Sequence, residues 1–218
     1  ALLEGLKGSG KPLLHTSGSS VVGDDARGGF CSPHVFDEQT PWVINPFKQA
    51  RRDIDLLVLS GVNDGIKTAV ICPSLIYGVG TGLNPNSVQI PFLASNAREQ
   101  GAVEIVGKGL NVWANVHIED VASLYQLVLE KGPGGAFYFA ENGEASYADL
   151  GQALAQRLGL QDVVHLEPEV AAERWGVARA YFSFGSNSRV RARRAREELG
   201  WAPQHTSVFN WIANEAQF

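Results

Sequence analysis

The stretch Ile66–Gly80, IKTAVICPSLIYGVG, decides the fold. Its first half is rich in Ile, Val and Ala with no clean polar alternation, which predicts a strand buried on both faces, as in a parallel sheet. Pro73 ends the run, because it carries no backbone N–H and its φ is fixed. The chain then passes straight into an aromatic, glycine-bearing loop, Tyr77-Gly78-Val79-Gly80. In open α/β sheets ligands sit beyond the carboxyl ends of the strands, so a site is expected where this strand stops.

Outward from that strand, helical and extended patterns alternate. Ala1–Lys7 reads as a helix end closed by Gly8 and Gly10, and Lys11–Thr16 as a short strand. The polar turn Ser17–Ser20 and a loop to Asn45 follow. Ile54, Leu57 and Val58, set among Arg51, Arg52, Asp53 and Asp55, predict an amphipathic helix over 47–61. Further helices are predicted over 87–100, from 119 or 120 to 131, over 147–158 with Ser146 as N-cap, over 189–199 and from 206 onward. Strands are predicted over 102–106, 111–118, 135–140 and 162–168. This alternation argues an α/β fold with parallel pairing. Leu13, Val70, Ile71 and Phe139 are expected to be buried in adjacent parallel strands of one sheet.

Composition narrows the function. The chain has 218 residues, 44% hydrophobic and 19% charged, enough for one large domain or one and a half. A formal net charge of -5 gives no broad basic surface for nucleic acid. No apolar run approaches the ~18 residues that span a bilayer, and no signal peptide is visible, so no membrane partner is expected. Cys31 and Cys72 read as free thiols in a reducing, cytoplasmic setting. The five histidines lack metal-ligand spacing, so no metal is expected. The run RVRARRARE from Arg189 reads as a solvated helix face that could also help recognise an acidic substrate. The sequence contains no Met and opens in mid-helix, which predicts a longer working protein.

Two strands end in loops of interest, LLHTSGSSVVG and AVICPSLIYG. Neighbouring parallel strands would set these loops side by side. The first offers hydroxyls and the second a stiff backbone wall. GVGTGLNPN, from Gly78 to Asn86, lacks the third glycine and the helix start of a dinucleotide fingerprint, and reads as a flexible loop.

The motifs TSGSSVVG (16–23), ICPSLIYG (71–78), NVHIEDVA (115–122) and ELGWAP (198–203) in this order resemble the extended short-chain dehydrogenase/reductase family, of the NAD-dependent epimerase/dehydratase type, from about Leu2 to Pro203. The resemblance implies a Rossmann-like parallel sheet with a small mixed α/β substrate-binding subdomain. Residues 1–85 would be the C-terminal part of an NAD(P)-binding domain and 86–218 mainly the subdomain, with about 115–145 returning to the sheet. NAD or NADP would be held by Thr16, Ser17, Arg51, Pro73, Ser74, Leu75 and Ile76. Tyr77, Asn86, Ser87 and Trp113 would face the substrate, and His117–Asp120 would be structural.

The chain departs from the family in three ways. The glycine-rich turn and the ribose-binding acid have no counterpart. The family's Tyr-x-x-x-Lys aligns with Phe47 and Arg51 of PFKQARRD, so the proton-exchanging phenol is missing, and its catalytic hydroxyl falls near Gly18, flanked by Ser17 and Ser19. Trp113 stands where nucleotide-sugar members carry an arginine. The implied activity is an NAD(P)-dependent oxidoreductase or epimerase/dehydratase-like enzyme acting on a small non-nucleotide alcohol or carbonyl compound. In it Ser17, Ser19, Phe47 and Arg51 would occupy the catalytic positions, with proton transfer by Ser17, Ser19, Tyr77 or water. The rival reading is a catalytically degenerate NAD(P)-binding redox sensor or regulatory protein. A homodimer is left open.

Overall fold

A computed structural model of the protein describes all 218 residues. In chain order the elements are α1 (Leu2–Leu6), β1 (Pro12–Thr16), α2 (Gln49–Ser60), β2 (Lys67–Pro73), β3 (Leu75–Tyr77), α3 (Gln89–Gln100), β4 (Val103–Val106), β5 (Val112–His117), α4 (Ile118–Lys131), β6 (Ala136–Ala140), β7 (Glu144–Ser146), α5 (Tyr147–Leu158), β8 (Val163–Leu166), α6 (Pro168–Trp175), α7 (Val177–Arg179), α8 (Arg193–Leu199) and α9 (Val208–Asn214). A π-helical turn, Ala180–Phe184, extends α7.

β2 lies at the centre of a parallel sheet of order β1-β2-β6, with Leu14 opposite Ala69 and Ile71 opposite Tyr138. Successive residues point to opposite faces, and every residue of β2 after Lys67 is buried. Both faces of the strand are therefore dry, as its unbroken apolar run predicts. Val70, Ile71 and Phe139 are fully buried. Leu13 is only half-buried, because β1 is an outer strand paired on one side with β2.

Two smaller sheets follow. β3 and β5 pair in parallel, β7 adds antiparallel to β5, and β4 pairs in parallel with β8. The hydrophobic interior forms two clusters that interleave along the chain. One joins the central sheet to Val121, Leu124, Leu199 and Trp201. The other gathers Leu75, Tyr77, Ile90, Ile105, Leu150 and Trp211. The chain crosses from the first to the second at Ser74, directly after Pro73 ends β2, which leaves the two clusters flanking the strand end.

Two of the motifs prove to be a single contact. The buried Asp120 carboxylate accepts the backbone N–H of Gln204 at 2.8 Å and of His205 at 3.0 Å, and Trp201 Nε1 donates to the Asp120 carbonyl at 3.0 Å. HIED and GWAP thus fasten α4 to the C-terminal segment.

Several predicted boundaries move. α4 starts at Ile118 because His117 is its N-cap, its ring Nδ1 accepting the Glu119 N–H. Histidine is a weak cap signal beside Ser, Thr, Asp or Asn. The helix predicted from Arg189 begins only at Arg193, since Phe36 holds the preceding segment extended through Phe36 N to Arg189 O at 2.9 Å and Arg191 N to Phe36 O at 2.7 Å. Arg189 and Arg191 pair with Glu144, Arg193 with Glu197, Arg194 with Glu198 and Arg196 with Glu141. Helices α6 and α7 and strands β3 and β7 fall outside the predicted elements. No helix is long and apolar enough to cross a membrane.

Candidate active site

β1 and β2 are neighbours, and their carboxyl ends bring the two loops together. Ser17 N–H donates to Ile71 O at 2.8 Å, which continues the β1–β2 ladder one residue beyond Thr16. A cavity of about 540 Å³ opens there. Its floor is Thr16, Ser17, Gly18 and Ser19 from the β1 end, with Pro73, Ser74 and Ile76 from the β2 end. α2 adds Arg51, with Lys48 just before it; the loop after β3 adds Asn86 and Ser87, and Trp113 and Phe182 close the far side. This volume is ordinary for a small-molecule site.

The floor hydroxyls are backed by a second layer. Ser17 Oγ donates to Asp55 Oδ2 at 3.0 Å, and Asp55 Oδ1 lies 3.5 Å from His15 Nε2. Asp55 is completely buried, while the His15 side chain beside it is about a third exposed. Burial pushes the Asp55 carboxyl above its ordinary value of 3.8, against the smaller opposing pull of Ser17, His15, Arg52 and Arg51. A carboxyl raised in this way can exchange a proton closer to neutral pH than an exposed one. Thr16 Oγ1 is hydrogen-bonded to the Tyr125 hydroxyl. Ser19 is held by Ser188, whose Oγ lies 2.7 Å from Ser19 Oγ and 2.8 Å from the Ser19 carbonyl. Ser17 is therefore the hydroxyl with a buried carboxyl behind it, while Ser19 is anchored to a neighbouring loop.

Other expected residues take different places. Leu75 and Tyr77 point into the second core cluster, and Tyr77 OH donates to His205 O at 3.2 Å, so neither side chain reaches the cavity. Period-two alternation along β3 explains this, since Ile76 between them faces the cavity. Ser74 is committed to β6: its N–H and its Oγ both donate to Ala140 O at 3.0 Å. The Trp113 ring lines the cavity and its Nε1 donates to Ser186 O at 2.7 Å. Ser87 Oγ is buried without a partner, a vacant hydroxyl at the cavity wall of the kind a bound ligand would satisfy.

Phe47 departs furthest from expectation. It is 76% exposed, stands outside the cavity lining, and rests its ring on Phe182 with centroids 4.8 Å apart. The helical turn from Pro46 to Lys48 rotates it outward and brings Lys48 to the wall. Arg51 does face the cavity, and a Cβ placed on Gly18 would sit 3.5 Å from its Nη1. None of the five tyrosines lines the cavity. Sequence reading missed Lys48 and Asp55. Lys48 differs from the aligned position by one residue. Asp55 was assigned to the polar side of α2, but it is buried with Val58 while Ile54 and Leu57 are exposed.

His117, Glu119 and His205 bring ligand atoms within 4.8 Å of one another, a proximity that sequence spacing did not reveal. The His rings are stacked at 3.7 Å, His117 Nδ1 is occupied by the Glu119 N–H, and Gly78 packs against Nε2. His117 Nδ1 is thus committed to the helix cap, and Nε2 is the ring nitrogen without a hydrogen bond.

Known proteins share this arrangement of elements. An oxidase, ucsJ, of Acremonium sp is 31% identical over 238 residues, an alignment covering 93% of this chain and 68% of that protein. The dTDP-glucose 4,6-dehydratase of Bacillus anthracis, solved in complex with NAD, superposes with a TM-score of 0.69 at 23% identity, over 94% of this chain and 61% of that one. The UDP-glucose 4-epimerase of Thermotoga maritima, solved with UDP-glucose, gives a TM-score of 0.72 at 19% identity, over 97% and 64% of the two chains. The chain thus spans about two thirds of the length of its relatives. The model of the NAD dependent epimerase/dehydratase family matches residues 1–139, strands β1 and β2, most of β6 and the cavity floor among them, and the chain belongs to that family.

Proposed function

We propose that the protein is an NAD(P)-dependent oxidoreductase, of epimerase/dehydratase descent, that acts on a small non-nucleotide alcohol or carbonyl compound. The observation that carries this reading is the cavity at the paired ends of β1 and β2, with Ser17 on its floor and a buried carboxyl behind it. The cofactor, when bound, supplies hydride acceptance and donation. Thr16, Ser17, Arg51, Pro73 and Ile76 are the groups that would hold its nicotinamide end. The unpartnered Ser87 hydroxyl supports a polar ligand in this space.

Ser17 replaces the missing phenol as the group that exchanges a proton with the substrate oxygen. Its own proton already points at Asp55 Oδ2, which leaves its lone pairs free to take the proton of a substrate alcohol. As that proton arrives, the Ser17 proton passes to Asp55 and on toward His15 and solvent. The reverse sequence delivers a proton to a carbonyl oxygen. Arg51 stands beside Gly18 as a fixed positive charge that favours oxyanion character there.

A non-nucleotide substrate follows from Trp113, an apolar ring where nucleotide-sugar enzymes of this type place an arginine. The test is oxidation or reduction of a panel of simple alcohols, aldehydes and ketones with NAD(H) and NADP(H), followed by the absorbance of the reduced cofactor. Turnover that Ser17→Ala reduces on the order of a hundredfold is expected. Cofactor binding without turnover on any substrate would favour the redox-sensor reading.

A further inference from the structure

The cavity has an unbalanced charge. Among its 23 lining residues none is Asp or Glu, while both Lys48 and Arg51 are present. The nearby carboxylate, Asp55, lies behind the floor and is already engaged by Ser17 and His15. Lys48 and Arg51 are three residues apart, so their side chains leave the same face of the chain and repel one another.

Lys48 is the more buried of the two, and neither is paired with a carboxylate. Its side chain is half-buried against Phe182: Nζ lies 3.5 Å from the Phe182 carbonyl and 5.2 Å from the ring centroid. An ammonium has three protons to donate, and one carbonyl at 3.5 Å is a long and single acceptor. No carboxylate of the chain stabilises it. Burial first, and the Arg51 charge second, push its pKa down to about 8. A half-buried cation without a counter-ion is costly to maintain, since buried charges are ordinarily paired. Around it the wall is apolar or uncharged, with Phe182, Trp113 and Ile76 shaping the space beyond.

We propose that the missing counter-ion is a carboxylate of the substrate, bound by Lys48, so that the cavity selects oxo or hydroxy acids over neutral carbonyl compounds and alcohols. The identity of the ligand as a substrate rests on the oxidoreductase reading; the anion site itself does not. The carboxylate lies against Lys48 with the apolar part of the molecule on Phe182 and Trp113. That directs the neighbouring oxygen-bearing carbon toward the Ser17 floor. The shared chemistry, an anionic oxygen group, could also come from a phosphate of the dinucleotide, and the experiment separates the two sources.

Binding of phenylglyoxylate and of its uncharged methyl ester, and of pyruvate and methyl pyruvate, is measured by titration calorimetry at pH 7 on wild type, Lys48→Met, Lys48→Gln and Lys48→Arg. NADH binding is followed in parallel by its fluorescence. The expected result is a preference of about tenfold or more for the acid over its ester in wild type. Both neutral variants should lose that preference and Lys48→Arg should keep most of it, with NADH affinity changed less than about twofold. Equal binding of acid and ester by wild type, no binding of either acid, or a preference that survives in Lys48→Met and Lys48→Gln would overturn the proposal. A parallel loss of NADH affinity in those variants would assign Lys48 to a cofactor phosphate and overturn the substrate assignment. Intact acid selectivity in a protein that binds no NADH or NADPH would sink the oxidoreductase reading and leave the anion site standing.

Discussion

Asp55 shows how one residue can set both a cost and a capability. Its carboxyl is fully buried, and burial holds its proton to higher pH than in the unfolded chain. The folded state therefore binds more protons than the unfolded state between the ordinary value of 3.8 and the raised folded value. Stability falls as pH rises through that window. Asp55→Asn keeps the shape and a hydrogen-bond acceptor for Ser17 but removes the charge. The variant is expected to match or exceed the wild-type melting temperature on the alkaline side of that window, while kcat/KM drops roughly tenfold or more. Because the ionised carboxylate is the form that takes the Ser17 proton, wild-type activity should decline on the acidic side as Asp55 protonates. That limb of the pH profile should vanish in Asp55→Asn, an effect that a merely structural role would not produce. Phe47 makes the opposite case. Alignment alone invites Phe47→Tyr as a restored catalytic phenol, but the ring is 76% exposed and lies outside the cavity. Phe47→Tyr is expected to change turnover less than about twofold, and a gain of tenfold would show that the helix start rotates inward during catalysis. These two positions also mark the limit of what sequence made legible. Ser17 and Pro73 could be placed at strand ends because backbone pattern fixes them, and Arg51 and Trp113 came from the family resemblance. Whether position 47 or 48 faces inward depends on a single helical turn, which periodicity does not resolve.

At the scale of elements, the Pro73 break is the feature that sequence read best. The strand before it is buried on both faces, and the chain after it changes core cluster and lines the cavity. An unbroken apolar run followed by an imino acid carries that information locally. α2 was legible as a helix but not in its orientation. Its pattern of Ile54, Leu57 and Val58 names an apolar side, whereas packing buries Asp55 and Val58. A tertiary partner, the Ser17 hydroxyl with His15, outweighed the local pattern. Gly78, just past β3, is fixed by geometry. Its φ is +97°, and a Cβ there would lie 2.4 Å from His117 Nε2. Gly78→Ala must strain the backbone and displace the His117–His205 stack, with a predicted loss of about 2–3 kcal/mol in urea unfolding. Gly10 also has a positive φ, +66°, but open space around its Cβ position. Gly10→Ala should therefore lose only about 1 kcal/mol. Equal losses at the two sites would show that His117 yields freely and that the stack contributes little.

Over the whole molecule, α2 is the element that carries both cavity residues and an exposed apolar side. One side carries Arg51, at the cavity, and Asp55, beneath its floor. The other exposes Ile54, Leu56 and Leu57, at 49%, 47% and 59% of their full surface. Single exposed apolar residues are ordinary, but three within one helical turn form a patch of the kind that marks an interaction surface. The apolar side of α2 thus faces away from the chain's own core. Two copies meeting through α2 would bury Ile54, Leu56 and Leu57 together and stiffen the helix that holds Arg51. Wild type is expected to run as a dimer in light scattering at micromolar concentration. Leu57→Glu, which places like charges opposite each other across a two-fold contact, is expected to yield monomer. Since Leu57 touches neither the cavity nor Asp55, the isolated fold should survive, with an unchanged far-ultraviolet circular dichroism spectrum. Turnover should then fall only as far as α2 depends on its partner for rigidity. A wild type that is monomeric at tens of micromolar, or a Leu57→Glu variant that stays dimeric, would show that this face of α2 is not where copies of the chain meet.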